Sequence, residues 1–547
     1  MQPKNDMKVQ FKALPSNSPS LFPENIFEKI SPNHPVRLVN QVVNNLNLDH
    51  IIKLYKGGGT TSYHPRMLIK VLFYAYLNNI YSCRKIEKAL GENIYFMWLS
   101  DNSTPDYRTI NYFRGKRLKG VIQTLFGDIV RMLHELEYVS LKVQYIDGTK
   151  LESASGRYTF VWKKSVEKNK AKLEANITSI LAEIDEQIKQ DQSELSREDT
   201  PKPIDSSELK KKMDQLNADI QEKSKATQKH LKKLEEDYLP RLEKYEQQLE
   251  ILGDRNSYSK TDPEAVFMRM KDDHMKNGQL KPAYNTQIST ENQFITHYSI
   301  HQTTADTVTL ASHLDSFEAQ YQMQSEEIVA DAGYGSEQNY ELMEGKGIVS
   351  YVKYNYFHME QKRKQETNPF LVQNLFYNAQ EDFLVCPAGQ KLTLLKQAER
   401  TSTNGYVAQV SIYQAQRCEG CPMRGQCHKA EGNRTIEINH RLAQLKAQVK
   451  ERLLSEKGLY HRSKRPVEVE AVFGQLKSNN KFNRFTMRGL EKVDIEFALM
   501  AIAHNLRKWV KMTKNTSLNS SINTKTDSKT VNTYKISKIS PISKYAA

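Results

Sequence analysis

The stretch LKVQYIDG, residues 141–148, sets the reading of the fold. Leu141, Val143, Tyr145 and Asp147 fall on one alternation and Gly148 follows, the pattern of a short buried strand that stops in a turn. EIVADAG, residues 327–333, repeats it: a short apolar strand, then Asp331 beside small residues. Working outward, residues 157–162 (RYTFVW) form a second β-like run. Residues 284–289 and 294–301 read as a hairpin, 307–321 and 337–344 as helices, and 348–352 as a strand. Strand, insertion, hairpin, helix, strand, helix, strand is a mixed order of elements.

Upstream, residues 24–138 read as helical. Pro65 suits a first helical turn, and Leu68, Val71, Leu72, Ala75 and Tyr76 follow at helical spacing. A segment over 82–90 carries Arg84, Lys85 and Lys88. Asp106 can cap a third, in which Ile110, Phe113 and Leu118 alternate with Arg108, Arg114, Lys116 and Arg117. Spacing alone leaves two readings open, a helix-turn-helix-like DNA reader and a helical bundle with a solvated basic face.

Residues 165–252 differ. Leu173, Ile177, Ile180, Ile184 and Ile188 recur every three or four residues, as do Leu209, Met213, Leu216 and Ile220. Leu231, Leu234, Tyr238, Leu242, Tyr245, Leu249 and Leu252 continue the pattern. These are coiled-coil spacings, interrupted at Thr200-Pro201-Lys202-Pro203, and they predict an inserted arm of antiparallel helices. Residues 353–452 are polar and hold four of the five cysteines. Helical patterning returns at 440–457 and 466–511, and the Ser/Thr/Asn/Lys-rich stretch from Thr513 reads as disordered.

The formal charge is +15 on 547 residues, which suggests a polyanionic partner. The opening MQPKNDMKVQ lacks the apolar run of a secretory signal. The apolar stretches 67–77 and 497–506 are too short to span a bilayer. Few cysteines for this length fit a reducing, cytoplasmic setting.

Carboxylates are the chemistry to weigh first. Cutting a phosphodiester requires an activated oxygen and stabilisation of the leaving one, and carboxylates hold the hard divalent metals that do both. Carboxylates at strand ends can converge without being buried. Either aspartate alone reads first as a turn residue.

Several blocks together resemble the bacterial insertion-sequence DDE transposases. They are Tyr145-Ile146-Asp147-Gly148-Thr149-Lys150, the TFVW of 159–162, Asp262-Pro263-Glu264-Ala265 with Met268-Arg269-Met270-Lys271, and Lys281-Pro282-Ala283-Tyr284-Asn285-Thr286-Gln287. Ala330-Asp331-Ala332-Gly333-Tyr334-Gly335 and Val469-Glu470-Ala471-Val472-Phe473-Gly474 complete the set. The resemblance runs from about residue 20 to 511, with the blocks in family order. It implies an RNase H-like core, in which two aspartates on neighbouring strands and a glutamate on a later helix bind two Mg²⁺ ions, with Mn²⁺ as a substitute. Asp147 matches the first aspartate and Asp331 the second.

The glutamate is either Glu468 or Glu470. On a helix, Val469, Val472, Phe473 and Leu476 form the apolar stripe, and the two glutamates flank it on opposite sides, so periodicity does not choose. The family pairs its glutamate with a DNA-contacting lysine seven residues on, and Lys477 meets that spacing from Glu470. The family's arginine four residues before the glutamate is replaced by Pro466, with Arg462 and Arg465 nearby and Tyr460 earlier than expected. Arg462, Arg465, Lys477, Lys481, Arg484 and Arg488 form a basic cluster suited to phosphate contacts. Cys386, Cys418, Cys421 and Cys427 are the ligands of a candidate structural Zn²⁺ site, His428 is a substitute, and four reduced thiols are the alternative. Cys83 reads as a small buried apolar residue.

The sequence thus predicts an α+β multidomain chain. Residues 1–138 would form a helical DNA-binding domain, and 139–352 the first part of an RNase H-like mixed sheet with helices, carrying a coiled-coil insertion at 165–252. Residues 353–452 would be a small cysteine-containing insertion, 453–512 the final catalytic helices and 513–547 a disordered tail. The expected function is binding, cleavage and strand transfer of double-stranded DNA at element ends and target, with no membrane partner; the arm's heptads fit a homodimer on paired ends and self-packing within one chain equally well. The rivals are a catalytically inactive DNA-binding relic and a structural coiled-coil protein.

Overall fold

The computed structural model describes residues 25–55, 62–191, 205–219, 225–270, 279–402 and 404–523. The break at 200–203, Ile220, Lys271 and the chain beyond 523 lie outside them, as does the side chain of Ile188.

The strands, in chain order, begin with β1 (Val143–Glu152), β2 (Phe160–Trp162), β3 (Ser257–Ser259), β4 (Val266–Arg269) and β5 (Leu280–Glu291). Then come β6 (Phe294–His301), β7 (Glu327–Ala330) and β8 (Val349–Val352). In the six-stranded sheet β1 lies antiparallel to β5 on one edge and parallel to β7 on the other, and β7 lies parallel to β8. β4 and β6 pair antiparallel with successive parts of the far edge of β5. Parallel neighbours need crossovers. The helix Leu310–Tyr321 precedes β7, and the helix Glu337–Gly345 joins β7 to β8. One apolar core packs Tyr145, Ile146, Ile328 and Val352 against Leu314, Met343, Leu445 and Val449.

The hairpin, both helices and the strands at 327–330 and 349–352 follow the sequence pattern. Strand β1 does not stop at Asp147. It continues to Glu152 because the twelve-residue β5 keeps pairing with it, from Gly148↔Gln287 to Glu152↔Ala283.

The N-terminal helices include Pro35–Asn45, Pro65–Leu77, Cys83–Glu92, Ile94–Ser100 and Ile122–Glu135. Asp106 caps the helix Tyr107–Tyr112, accepting the Thr109 N–H at 2.8 Å. Their apolar faces share one core with β5, β6 and the buried face of the last helix, Leu490–Asn523, including Phe497, Leu499 and Trp509. Arg114, expected on a basic face, is instead buried, donating to the Tyr76 hydroxyl at 3.1 Å and the Tyr81 carbonyl at 2.8 Å.

Between β2 and β3 the chain forms the helical arm, including Lys163–Asp191, Ser206–Asp219, Lys225–Lys233 and Leu239–Leu252. Leu173, Ile177, Ile184, Leu209, Met213, Leu234 and Leu242 make its own core, and β2 pairs with β3 at its base.

Residues 353–452 hold a sheet that the polar sequence conceals: β9 (Phe376–Asn378), β10 (Phe383–Val385), β11 (Lys391–Thr401), β12 (Val407–Ala415) and β13 (Thr435–Ile438), all antiparallel. Most β11 side chains face solvent, so no apolar alternation marks it. The last helix also runs through Asn523, past the expected loss of order at Thr513. A helix already nucleated by packing extends more readily than a new one starts.

His297 and His504 are buried in the shared interior. His297 bonds Gln320 Oε1 and Ser316 Oγ, both at 2.8 Å, and His504 bonds the Gln293 carbonyl at 2.8 Å. Burial pushes both imidazoles from 6.5 down to about 4. Between those values the unfolded chain takes up protons that the folded chain refuses, so stability is lost as pH falls through that window. Urea unfolding of wild type and His504→Gln should therefore show the wild type's advantage shrinking from pH 6.5 towards 4, by at most about 1.4 kcal/mol per pH unit. A difference independent of pH would contradict the burial effect.

Candidate active site

The last parallel pair between β1 and β7 is Ile146↔Ala330, and the next residue on each strand is an aspartate. The register therefore sets Asp147 and Asp331 side by side where the two strands part. Asp331 caps the turn Ala332–Tyr334, accepting the Ala332 N–H at 2.8 Å. Gly148 is required by close approach: a Cβ there would run into the Gln287 amide and meet Asp306 Oδ1 at 2.8 Å. Beneath it, Asp306 accepts from Asn285 at 2.7 Å and Gln287 at 3.0 Å, and the Tyr334 hydroxyl donates to Gln287 Oε1.

The third carboxylate comes from the turn that continues the helix Glu456–Arg465. The Tyr145 hydroxyl meets His461 Nδ1 at 2.9 Å, and His461 Nε2 meets Glu327 Oε2 at 3.0 Å, which ties this helix to β1 and β7. Pro466 has no N–H to continue the α-helical ladder. From there the chain makes a π-turn over Pro466–Glu470, closed by the Ala471 N–H on the Pro466 carbonyl. Residues five apart on an α-helix sit about 140° apart around the axis. The wider i→i+5 turn brings them together. Arg465 and Glu470 are such a pair, with Arg465 Nη1 3.2 Å from Glu470 Oε1.

The other guanidinium nitrogen, Arg465 Nη2, lies 3.1 Å from Asp147 Oδ2 and 3.9 Å from Asp331 Oδ2. One guanidinium thus touches all three carboxylates expected from the sequence. Arg465 is 6% exposed and Asp147 14%, while Asp331 and Glu470 are 54% and 59% exposed. Glu468 points elsewhere. It is buried, accepts the Gln293 N–H at 2.6 Å and pairs with Lys464 at 3.8 Å, and burial raises its carboxyl pKa.

Three neighbours were not singled out in the sequence. Asp306 sits in a polar loop with no pattern around it. Lys353 is the first polar residue after β8; burial lowers its pKa, while Asp331 and Glu470 pull it up. His358 is lowered by burial, with Lys353 and Arg462 adding to the effect.

The basic cluster is dispersed. Arg462 lies 5.0 Å over the Phe357 ring, and Lys477 is half-buried in a second π-turn, Gln475–Asn479. Lys481 is exposed. Arg484 and Arg488 are exposed too but bond carbonyls: Arg484 those of Ser153 at 3.0 Å and Ser155 at 2.9 Å, Arg488 that of Ala154 at 2.6 Å. Asp262, in one of the quoted blocks, is a buried clamp, accepting from Ser153, from the Tyr284 hydroxyl at 3.0 Å and from the Gly489 N–H at 3.2 Å.

Cys386, Cys418, Cys421, Cys427 and His428 line a single pocket. Arg434 enters it, its side chain 3.1 Å from Cys427 Sγ and its backbone N–H 3.3 Å from Cys418 Sγ. Both ring nitrogens of His428 are buried without a hydrogen-bond partner. Among the described residues, no group of three His, Cys, Asp or Glu side chains stands arranged to hold a metal ion. Cys83 is buried, as expected.

Two family models match the chain. One, described as a transposase DDE domain, covers residues 385–510, and the other, a transposase domain (DUF772), covers residues 24–116. Together the two matches support an insertion-sequence DDE transposase. Comparison with curated proteins and with solved structures finds no match. In this transposase the DDE match takes in Glu470, Arg465 and the cysteine pocket, and the DUF772 match takes in helices Pro35–Asn45 to Tyr107–Tyr112. Asp147 and Asp331 lie in neither matched span. No helix of the described residues is long and apolar enough to cross a membrane.

Because a methyl group at position 148 has no room above Gln287 and Asp306, Gly148→Ala should cost about 1–3 kcal/mol, read as a lower urea midpoint. Unchanged stability would show that the glycine is not fixed by this packing.

Proposed function

We propose that this transposase cuts and joins double-stranded DNA, with Asp147, Asp331 and Glu470 as metal-binding carboxylates of an RNase H-like domain. The observation that carries the reading is the Arg465 guanidinium in contact with all three. The strand order, with β5 and β6 antiparallel on one side of β1 and β7 and β8 parallel on the other, supports the fold. The donor set fits hard divalent cations such as Mg²⁺ or Mn²⁺: all oxygens, gathered around a site that already accommodates positive charge. Two such ions would activate the attacking oxygen and neutralise the leaving one. The chain's own residues orient the set: the β1–β7 register fixes the aspartates, and the π-turn aims Glu470.

For DNA we assign the phosphate contacts around the site to Lys477, Lys481 and Arg462, with Arg484 and Arg488 as positioning residues whose remaining N–H groups face solvent. Residues 1–138 would read element ends. Residues 139–352 and 453–512 would form the catalytic domain, interrupted by the arm at 165–252 and the cysteine-containing insertion at 353–452. The arm's heptad-spaced residues pack into its own core, so a role in pairing two protomers on paired ends would fall to its outer face, and cytoplasmic action follows from the substrate. The inactive-relic reading loses support because the three carboxylates are intact and all lie within 4 Å of one guanidinium.

Purified protein with linear DNA carrying the element ends and Mg²⁺ tests this. Asp147→Asn and Glu470→Gln should reduce strand cleavage to background while gel-shift binding persists and weakens with salt. Glu468→Gln should keep cleavage but unfold at lower urea, since it alters a buried, bonded carboxylate. Binding without cleavage by the wild type would favour the relic, and full cleavage by Glu470→Gln would displace Glu470 from the site.

We also propose that the cysteine pocket takes a structural Zn²⁺ through Cys386, Cys418, Cys421 and Cys427. The unpartnered nitrogens of His428 support a pocket that lacks its polar partner. Elemental analysis should find about one zinc per chain, lost in Cys418→Ser/Cys421→Ser. Zinc-free protein of unchanged stability after chelation would leave four thiols in place of the site.

A further inference from the structure

We infer that Arg465 is a stand-in cation: its guanidinium holds Asp147, Asp331 and Glu470 together and withdraws when divalent metal binds. This rests on the reading of those carboxylates as metal ligands. The geometry argues for displacement rather than a shared arrangement. Arg465 Nη1 lies 3.2 Å from Glu470 Oε1, and Nη2 lies 3.1 Å from Asp147 Oδ2 and 3.9 Å from Asp331 Oδ2, so the guanidinium stands between the three carboxylates. A metal held by the same oxygens would need that place, and two like charges within a few ångströms repel.

A second observation concerns the partners of Arg465. Arg465 is nearly inaccessible, yet its Nε is buried with no hydrogen-bond partner. Arg114 Nε and Arg507 Nη1 in the core are likewise unpartnered, but those two arginines bond a tyrosine hydroxyl and backbone carbonyls, so the partners rather than the open N–H set Arg465 apart. Here the side chain's bonds go only to groups that a metal would take. The local backbone provides a means of release. Arg465 is the last residue before the π-turn that begins at Pro466, and π-turns are recurrent features of functional sites and points of helix bending. Lys353 also interacts electrostatically with Asp331 and Glu470, so the cluster is not left without positive charge during the exchange.

The test uses the full chain without DNA. An arginine-specific dicarbonyl reagent, read at Arg465 by peptide mass spectrometry, should label it slowly in EDTA and several-fold faster in Mg²⁺. In parallel, Mn²⁺ binding is followed by electron paramagnetic resonance, counting only the binding lost in Asp147→Asn. Arg465→Met should bind Mn²⁺ about tenfold more tightly than wild type, because the competing guanidinium is gone. Arg465→Lys serves if the methionine variant does not fold; its labelling is not read, and its Mn²⁺ affinity should fall between the two. If wild type binds Mn²⁺ while Arg465 labelling stays constant and the variants match its affinity, the displacement proposal is overturned and the carboxylate reading stands. If neither wild type nor Arg465→Met binds Mn²⁺ through Asp147, the carboxylate reading itself fails.

Discussion

Carboxylates gathered at one point repel each other, and the centre of this protein depends on how that repulsion is met. Register alone would set Asp147 beside Asp331, and the π-turn adds Glu470. Without a cation between them, each would favour protonation or a rotamer facing solvent. The Arg465 guanidinium supplies the charge, and its planar fork lets it reach several oxygens at once. Holding Arg465 there requires the helix Glu456–Arg465 to be fixed on the sheet, which the chain of Tyr145, His461 and Glu327 achieves from buried positions. Glu327 and Tyr145 lie on the same two strands that carry the aspartates. The helix is therefore located by the strands whose charges it neutralises.

What could be read from sequence tracked the strength of local signals. The short runs before Asp147 and Asp331 are apolar enough to mark strands, and their pairing puts the two acids in step. The choice between Glu468 and Glu470 could not come from α-helical periodicity, because the helix is not α-helical there. Pro466 was visible, but read as a departure from the family's arginine. In the structure it opens the wider turn in which an arginine five residues before the glutamate reaches it. Asp306 and Lys353 were missed for another reason. Each is a single polar residue in a loop or just after a strand, and only tertiary contacts bring them to the site. The sheet β9–β13 was missed because β9 and its long strand β11 are largely solvated and its apolar core is small, leaving little alternation to detect.

The basic residues show how charge can mislead when position is unknown. Arg114 belongs to a run of cations in the sequence, yet it is buried against Tyr76 and Tyr81. Arg484 and Arg488 hold carbonyls at the end of β1 and help seat the segment after Lys481. A count of Lys and Arg therefore overstates the surface free to meet phosphate, and the net charge is a better guide to partner class than to contact residues.

The two long insertions leave this arrangement intact because both are closed at their bases. The arm departs after β1 and returns before β4, and the β2–β3 pair brings its ends together. Its own apolar core then stabilises it independently of the sheet. The sheet β9–β13 is fastened differently, by polar contacts to the helix Glu337–Gly345: Tyr406 to Glu341 at 2.9 Å, Asn439 to Glu337 at 2.5 Å and Arg441 to Glu341 at 3.1 Å. The cost of closing a loop rises only slowly with its length, so once its ends are pinned an insertion can be long without straining the strands it interrupts. The site depends on the register of β1 against β7 and on one turn at Pro466, and neither insertion enters the chain at those points.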